Sequence, residues 1–532
     1  MKKILLYDTT LRDGAQGAGV SFSVQDEIKI AKALDNFGIT YIEGGWPGSN
    51  PKSELFFKEA RNIKFKNSVL TAFGSTRHKD TKAHNDKNLL SILDTGVKVA
   101  CIFGKSWDLH VVHAIRTSFE ENLKMISESI SFLRSKGLEV IYDAEHFFDG
   151  FKNNKEYAIS TLKAAQKAGA INLTLCETNG GMTPFEVQKI VEYVRKEIPE
   201  IPLGIHTHND SDCAAGNSIV AVQEGCSLVQ GTINGLGERC GNANLCSIIP
   251  ALQLRFGYSC VSEANLKKLT ELSRYVYEIA NIIPSDNQPY VGLNAFAHKA
   301  GIHVSAVTRE SRTYEHISPE QVGNERRILI SELSGKSNVS SKADVLYVDV
   351  EKHPEAMSKI INTVKKLEHE GYQFEDADGS FSLLTNKALG KYEPFFELES
   401  FKLSIEKDSK GKIITEASIK LKVGGKEEHT VAEGDGPVNA LDNALRKALQ
   451  KFYPQIKEIS LTDFKVRVIN AGAGTAAKVR VLIESKDHSS SWGTVGVSEN
   501  IIEASWQALV DAIEYKLTKD LKQQVKSKTG QG

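Results

Sequence analysis

"ILLYDTTLRDGAQG", residues 4 to 17, carries the first decision about the fold. Its apolar start predicts a short buried strand, which ends in two threonines followed by the Arg12–Asp13 pair and nearby glycines. An open doubly wound sheet would usually place a GxGxxG turn after its first strand, and TTLRDGAQG does not have that pattern. Charged residues at the end of a strand are typical of the mouth of a (β/α)8 barrel.

The same alternation of strand and helix patterns continues through the first 257 residues. Eight short apolar or β-branched runs are each followed by a helical pattern, and several of these helical patterns end at glycine. Eight such units in about 250 residues match a TIM barrel, with an open doubly wound sheet as the alternative. The runs are ILLYDTT, TYIEGG, SVLTAFG, VKVACIFG, LEVIYDAEHF, INLTLCET, PLGIHTHND and LVQGTING.

Beyond the barrel the pattern changes twice. From about 258 to 400, helical patterns separated by polar loops predict small helical subdomains that cover the barrel mouth. Residues 401 to 517 contain a duplication, because HTVAEGDGPVNALDNALRKAL at 429 resembles GTVGVSENIIEASWQALVDAI at 493. Two copies of one strand-and-helix unit predict an α+β domain. The predicted domains are a catalytic TIM barrel (1–275), helical linker subdomains (276–400), a duplicated domain (401–525) and a disordered tail (526–532).

The composition argues against several classes of protein. The net charge is −1, which predicts no binding to nucleic acid or to an anionic membrane. No run approaches the roughly 18 apolar residues of a membrane span, and MKKILLYDTT has too few apolar residues for a signal peptide. Seven scattered cysteines without a CxxC pair argue against disulfides and structural zinc, and predict a reducing, cytoplasmic setting.

Residues able to do chemistry follow most of the predicted barrel strands. Because the active sites of such barrels lie at the C-terminal ends of the strands, we expect these side chains at one mouth. They are Arg12 and Asp13 after strand 1, Glu43 at strand 2, Glu145 at strand 5, Thr178 at strand 6, His206 and His208 at strand 7, and Asn242 after strand 8.

The segment GIHTHND predicts a metal site. His206 and His208 lie two residues apart on a predicted strand, so both point to one face. A single HxH pair can also be packed in the barrel, but Asp13 and Asn242 at the same mouth favour ligation. This mixed set of nitrogen and oxygen ligands suits Mn, Mg, Zn or Co and leaves positions open for water or substrate. Arg12 would then polarise a carbonyl oxygen, or it would form a structural ion pair at the rim.

Three motifs carry a resemblance to a known family. YDTTLRDGAQ, HTHND and GERCGNANL, in this order on a barrel pattern, resemble the metal-dependent acyl-CoA condensing enzymes related to 2-isopropylmalate synthase, which include homocitrate and citramalate synthases. The duplicated domain is similar to the allosteric regulatory domain of that family. EGGWPGSNPK and DAEHFFDG resemble the citramalate branch. One departure is Asp212, where relatives commonly have glycine after HND.

The resemblance implies roles for individual residues. It makes Asp13, His206, His208 and Asn242 the metal ligands, Arg12 the oxyanion-stabilising group, Glu145 a catalytic residue, and Arg12, Gln16, Glu43 and Thr178 the substrate contacts. AFAHKAGIH and RTYEHISPEQVG resemble the segment that supplies a catalytic histidine and tyrosine. The candidates there are His298 and Tyr314, with His303 as the alternative to His298.

The reaction implied by the resemblance joins acetyl-CoA to pyruvate, giving citramalate and CoA, in a pathway to isoleucine. Phe73 and Phe103 are expected to close the pocket around so small an acceptor. The family also implies a divalent metal, a homodimer, and an isoleucine or leucine effector bound between the two copies of the duplicated unit. The alternatives are 2-isopropylmalate synthase, a metal-dependent lyase or aldolase on the same barrel, and a ligand sensor on an inactive barrel.

Overall fold

The computed structural model describes residues 2–330, 354–407, 409–469, 474 and 476–529 of the chain. The chain folds as two compact units. The first unit comprises Met1–Phe296 and His316–Arg326, and the second comprises Ala297–Glu315 and Arg327–Gly532.

Eight parallel strands close into a barrel in the first unit. Each strand pairs with its neighbours in chain order, and the last strand pairs back to the first. This closure confirms the predicted (β/α)8 barrel and excludes the open doubly wound sheet. The strands are β1 (Leu5–Asp8), β2 (Tyr41–Glu43), β3 (Val69–Ser75), β4 (Val99–Lys105), β5 (Glu139–Glu145), β6 (Asn172–Glu177), β7 (Leu203–Thr207) and β8 (Leu228–Gly231).

Twelve α-helices of the first unit follow or link these strands. Their ends are set by local signals: Ser23 and Asp26 form a capping box at the start of α1, and Gly38 ends that helix with φ at 96°. The helices are α1 (Val24–Phe37), α2 (Pro51–Ala60), α3 (Lys87–Thr95), α4 (Asp108–His113), α5 (Phe119–Ser135), α6 (Phe147–Asn153), α7 (Lys155–Lys167), α8 (Pro184–Glu197), α9 (Ala214–Gln223), α10 (Leu245–Pro250), α11 (Glu263–Leu266) and α12 (Leu269–Ile279).

The inside of the barrel changes from apolar to polar along the strands. Val99, Ile141 and Leu228 form an apolar layer near the start of their strands. Two residues further along β5 and β8, the buried residues are the polar Asp143 and Gln230. Alternate residues of a strand share a face, so these polar side chains lie inside the barrel, just below its mouth.

The second unit contains the duplication. Each copy is a three-stranded antiparallel sheet followed by a helix, as the repeat predicts. The copies also share a detail of packing, because the Thr430 hydroxyl donates to the carbonyl of Ala444 at 2.9 Å and the Thr494 hydroxyl donates to that of Ala508 at 2.8 Å. The copies are β11 (Glu397–Lys407), β12 (Ile413–Val423), β13 (Lys426–Gly434) and α16 (Pro437–Leu449), then β14 (Ser460–Val468), β15 (Val479–Lys486), β16 (Ser491–Ser498) and α17 (Ile501–Thr529).

The remaining elements of the second unit are mostly helical, as the linker pattern predicts. They are β9 (Ala297–His298), α13 (Gly301–Arg309), β10 (Arg327–Ile328), α14 (Pro354–His369) and α15 (Asp378–Ala388). Helix α17 reaches Thr529 and so enters the segment predicted as a disordered tail, in which Lys526 and Lys528 are good helix formers. Residues 530–532 lie outside the described part of the chain. Within the described part, no helix combines the length and the apolar character needed to cross a membrane.

Candidate active site

Three side chains with metal-binding atoms converge at the mouth of the barrel. Asp13 follows β1, His206 lies on β7, and His208 comes directly after β7. All three are buried, and their ligand atoms lie within 4.8 Å of one another. The Nε2 atoms of the two histidines are 3.3 Å apart, and Asp13 Oδ2 is 3.3 Å from His206 Nε2. Among the residues that the structure describes, no other group of three His, Cys, Asp or Glu side chains has this arrangement.

Asn242 completes this cluster from the loop after β8. Its Nδ2 lies 2.9 Å from Asp13 Oδ2 and 3.2 Å from His206 Nε2, while its buried Oδ1 has no hydrogen-bond partner among the residues that the structure describes. Rotation of the side-chain amide by half a turn exchanges Nδ2 and Oδ1, and so places the oxygen beside Asp13 and His206. Gly241 makes this approach possible, because its φ is +90° and a Cβ there would lie 2.0 Å from the carbonyl oxygen of Gly235.

The cluster fits a divalent cation. It offers two imidazole nitrogens, a carboxylate oxygen and an amide oxygen that lacks a partner, a set that suits Mn, Mg, Zn or Co. Burial opposes the charge of Asp13, but Arg12 and His206 outweigh it and hold the pKa of the Asp13 carboxyl well below its usual range. Burial, and after it His206, lowers the pKa of His208 to about 3. His208 is therefore neutral near pH 7, as a ligand must be.

Arg12 is clamped beside this cluster. Its Nε donates to Oε1 of the fully buried Glu43 at 2.5 Å, and its Nη1 lies 3.4 Å from Asp13 Oδ2. The other Glu43 oxygen accepts from the Tyr7 hydroxyl at 2.7 Å. The guanidinium carbon sits 3.9 Å from the centre of the Phe73 ring. An ion pair and a ring together fix the direction of the remaining N–H groups.

The threonines of the opening motif build the turn that presents Arg12 and Asp13. The Thr10 hydroxyl donates to Asp8 Oδ2 at 3.0 Å and accepts from the backbone N–H of Ile233 at 2.9 Å. The backbone N–H of Arg12 donates to the carbonyl of Thr9 at 3.1 Å. The loop after β1 is therefore tied to the loop after β8. Burial raises the pKa of Asp8 to about 7, and its hydrogen bonds with Thr10 oppose that rise.

Three more of the predicted site residues lie at the same end of the barrel but outside the Asp13–His206–His208 cluster. They are Glu145, Thr178 and Gln16. Glu145 ends β5 and forms an ion pair with Lys105, which ends β4. The Thr178 hydroxyl accepts from the backbone N–H of His146 at 3.0 Å. Gln16 is exposed in the 3-10 turn after Asp13. Lys105 was missed by sequence reasoning, although its place at the end of a predicted strand was the available signal.

The aromatic side chains expected to limit the acceptor pocket do meet. The Phe73 and Phe103 rings stack with centroids 5.4 Å apart. Trp46, from the EGGWPGSNPK segment, packs edge-on against both rings, at 5.8 Å from Phe73 and 5.5 Å from Phe103. Its Nε1 donates to Asn88 Oδ1 at 2.7 Å. These three rings form an aromatic wall directly beside Arg12, and Trp46 is a member that sequence reasoning missed.

The two candidate histidines, both in the second unit, differ in exposure and in partner. His298 is buried, and its Nε2 lies 3.1 Å from Oε1 of the buried Glu315. His303 is exposed on α13, and its ring stacks on that of Tyr314 with centroids 4.1 Å apart. The structure thus brings Tyr314 together with His303 and gives His298 a different partner.

The departure from the family pattern at Asp212 has a structural context. This residue has a φ of 57°, in the left-handed region that favours glycine. Asp tolerates that region better than most residues, since its short side chain can bond locally. The Asp212 Oδ1 accepts from Asn209 Nδ2 at 3.3 Å. Asp212 therefore makes the turn before α9 in a conformation that would also suit glycine.

Comparisons with known proteins cover nearly the whole chain. Residues 3–276 match the family described as HMGL-like, residues 290–372 the homocitrate synthase post-HMGL domain-like family, and residues 375–517 the LeuA allosteric (dimerisation) domain. An (R)-citramalate synthase of Geobacter sulfurreducens is 56% identical over 98% of both chains. One of Aquifex aeolicus is 53% identical, also over 98% of both chains. A 2-isopropylmalate synthase of Methanocaldococcus jannaschii is 30% identical over 97% of this chain and 95% of its own.

Proposed function

This chain belongs to the (R)-citramalate synthase family, and we propose from that membership that its barrel joins acetyl-CoA to pyruvate, giving citramalate and CoA. The convergence of Asp13, His206, His208 and Asn242 beside the clamped Arg12 carries the proposal. Pyruvate is favoured over 2-oxoisovalerate because the citramalate synthases are far more similar to this chain than the 2-isopropylmalate synthase is, at 56% and 53% against 30% identity.

The four clustered residues are proposed as the ligands of the metal. A divalent cation held there would supply a Lewis acid to the oxygens of a 2-oxo acid. Asp13 contributes the negative charge of the site, and the neutral His208 adds a nitrogen without adding charge. Measuring CoA release with Mn, Mg, Zn or Co after metal removal identifies the cation.

Arg12 is proposed to stabilise the charge that develops on the acceptor. As the new carbon–carbon bond forms, the ketone oxygen of pyruvate becomes an alkoxide. The Arg12 Nε is committed to Glu43, which leaves the Nη groups to donate to that oxygen. Because the clamp is in place before the reaction, no reorganisation is needed as the charge appears.

Removal of a methyl proton from acetyl-CoA requires a base. We propose His303, with Tyr314, rather than His298, because the His303 ring is exposed and stacks on Tyr314 while His298 Nε2 is occupied by Glu315. The proton passes to the base, the resulting carbon nucleophile bonds to the ketone carbon, and hydrolysis of the thioester releases CoA as a thiol. Glu145, paired with Lys105, is proposed to assist the proton transfer, and Thr178, Gln16 and Arg12 are proposed to contact the substrates. Glu43 was expected among these contacts, but both of its oxygens are bound by Arg12 and Tyr7, and we propose that it acts through Arg12.

The duplicated domain is proposed to regulate the enzyme. Its match to the LeuA allosteric (dimerisation) domain supports a homodimer and a small-molecule effector. We propose isoleucine as the effector, with leucine as the alternative. The segment EGDGPVNAL leads into α16, with Gly436 at its N-cap in an extended conformation, and a helix N-terminus favours a carboxylate. The proposed location of the protein is the cytoplasm.

The test measures CoA release by thiol trapping with purified full-length protein and acetyl-CoA. The acceptors are pyruvate, 2-oxobutyrate, 2-oxoisovalerate and 2-oxoglutarate, each with Mn, Mg, Zn or Co after metal removal, and with or without isoleucine or leucine. The proposal expects preference for pyruvate and inhibition by isoleucine. Preference for 2-oxoisovalerate would identify a 2-isopropylmalate synthase. No CoA release with any acceptor would reopen the lyase and sensor alternatives, the first of which is checked by cleavage of citramalate.

A further inference from the structure

Gln230 lies directly behind one of the proposed metal ligands. It sits on β8 in register with His206 on β7, and its side chain is completely buried. His206 Nδ1 is 2.9 Å from Gln230 Oε1. The other ring nitrogen, Nε2, is the one that faces Asp13 and His208. Gln230 therefore contacts the imidazole on the side opposite the metal cluster.

The orientation of the Gln230 amide is set by a second residue. Gln230 Nε2 donates to Asp143 Oδ1 at 2.8 Å and lies 3.3 Å from the Thr174 hydroxyl. A carboxylate only accepts hydrogen bonds, so the NH2 group has to face Asp143 and the carbonyl oxygen has to face His206. Since Oε1 can only accept, His206 Nδ1 has to carry a proton. In a neutral ring this leaves the lone pair on Nε2, where a metal needs it.

An amide is well suited to this position. The bridging group has to accept from an imidazole on one side and donate to a carboxylate on the other. A glutamate at 230 would keep the first bond but place a second carboxylate next to Asp143. A leucine would make neither bond. His208 has no equivalent support, because its Nδ1 is buried and without a hydrogen-bond partner among the described residues.

We propose that Gln230 is a positioning residue for metal binding, which holds His206 in the tautomer and ring orientation that direct Nε2 to the metal, with Asp143 holding Gln230 in turn. The inference rests on the proposed role of His206 as a ligand. Loss of such an outer partner typically lowers metal affinity by about 10-fold to 100-fold. The chain of contacts runs from β5 through β8 to β7, so strands on different sides of the barrel jointly set one ligand.

The test measures Mn²⁺ affinity of the metal-stripped, full-length protein by electron paramagnetic resonance titration, alongside thermal unfolding without metal. The variants are Gln230→Leu, Gln230→Asn and Gln230→Glu. Asparagine keeps the amide but is too short to contact both His206 and Asp143. The matched control is Thr161→Val, another fully buried threonine, whose hydroxyl bonds to Ser106 and to the carbonyl of Ala158 and lies outside the chain of contacts from Asp143 to His206. We expect Leu and Asn to weaken Mn²⁺ binding by about 10-fold to 100-fold and the control to stay within about threefold.

Gln230→Glu separates positioning from a merely structural role. The carboxylate still accepts from His206 Nδ1, so Mn²⁺ should bind more tightly than to Gln230→Asn. Its repulsion of Asp143 should nevertheless make it the least stable variant without metal. If affinity instead follows the melting temperature across the variants, the proposal is overturned.

The remaining outcomes are also decisive. Wild-type affinity in Gln230→Leu and Gln230→Asn would overturn the inference alone and leave the metal site intact. No Mn²⁺ binding by the wild-type protein would overturn the proposed metal site, and the inference with it. If Gln230→Leu does not fold, the comparison of Asn, Glu and the control decides in the same way.

Discussion

The Nε of Arg12 donates to Oε1 of Glu43 at 2.5 Å, and this contact, together with the Phe73 ring, fixes the direction of the guanidinium at the barrel mouth. Glu43 is itself held by Tyr7, whose hydroxyl donates to Oε2 at 2.7 Å. A carboxylate with both oxygens bound inside the protein cannot turn toward the substrate. In its proposed role Arg12 would therefore act from a fixed position, and Glu43 would act on the reaction through it.

Arg12→Lys should lower kcat by about 100-fold to 1,000-fold, the usual cost of losing one preorganised donor at a developing oxyanion. Lysine keeps the charge but loses the paired N–H groups and the stacking on Phe73. The readout is CoA release at saturating pyruvate. The control is Arg195→Lys, since Arg195 donates to the carbonyls of Ile201 and Gly225, which precede β7 and β8 at the opposite end of the barrel. Wild-type kcat in Arg12→Lys would contradict the assigned role.

Glu514→Gln should stabilise the second unit at high pH. Glu514 is buried, its Oε1 accepts from the backbone N–H of Phe395 at 3.1 Å, and burial raises its pKa to about 7. Because the folded-state pKa is raised, the folded protein binds the proton more tightly, and stability falls as pH rises from about 4.3, the ordinary glutamate value, to 7. Glutamine mimics the protonated acid and should remove that loss, about 3–4 kcal/mol at pH 8. Thermal unfolding at pH 5 and pH 8 measures the difference.

The exposed Glu499→Gln is the matched control for this change and should show no pH-dependent gain. A gain in Glu514→Gln that is the same at pH 5 as at pH 8 would count against the titration and point to improved packing instead.

The barrel could be predicted because each strand and helix carries its own local signal. A run such as VKVACIFG predicts a buried strand from its own residues, and the alternation of strand and helix patterns repeats eight times. The proposed metal ligands could also be predicted, since His206 and His208 are two residues apart at the end of one predicted strand and GERCGNANL marks Asn242 by its glycines. These features depend on spacing along the chain.

Other parts of the site depend on closure of the barrel, which sequence spacing does not reveal. Gln230 and Asp143 are 87 residues apart, and they meet only because β5 and β8 face the same interior. Lys105 and Glu145 become partners because β4 and β5 pair in register at those residues. Two histidines five residues apart, His298 and His303, cannot be ranked from the sequence either, since the difference between them is burial and partner.

His303→Ala should lower kcat by about 100-fold to 10,000-fold, the range for loss of a general base, without loss of folding. His298→Ala should act on stability, because it leaves the buried Glu315 without that partner. CoA release and thermal unfolding, measured on both variants, separate the two effects. Tyr314→Phe keeps the ring stack and tests the hydroxyl alone. A larger loss of kcat in a well-folded His298→Ala than in His303→Ala would reverse the assignment.

Phe103→Ala should widen the choice of acceptor. Phe103 stacks on Phe73, which lies against the Arg12 guanidinium, so its removal opens space one ring away from the proposed oxyanion site. One methylene in an apolar pocket changes discrimination by about 10-fold to 200-fold, and we expect kcat/KM for 2-oxobutyrate relative to pyruvate to rise by about 10-fold. The control is Phe185→Ala, since Phe185 is 76% exposed and should leave the ratio unchanged. An unchanged ratio in Phe103→Ala would show that the aromatic wall does not set acceptor size.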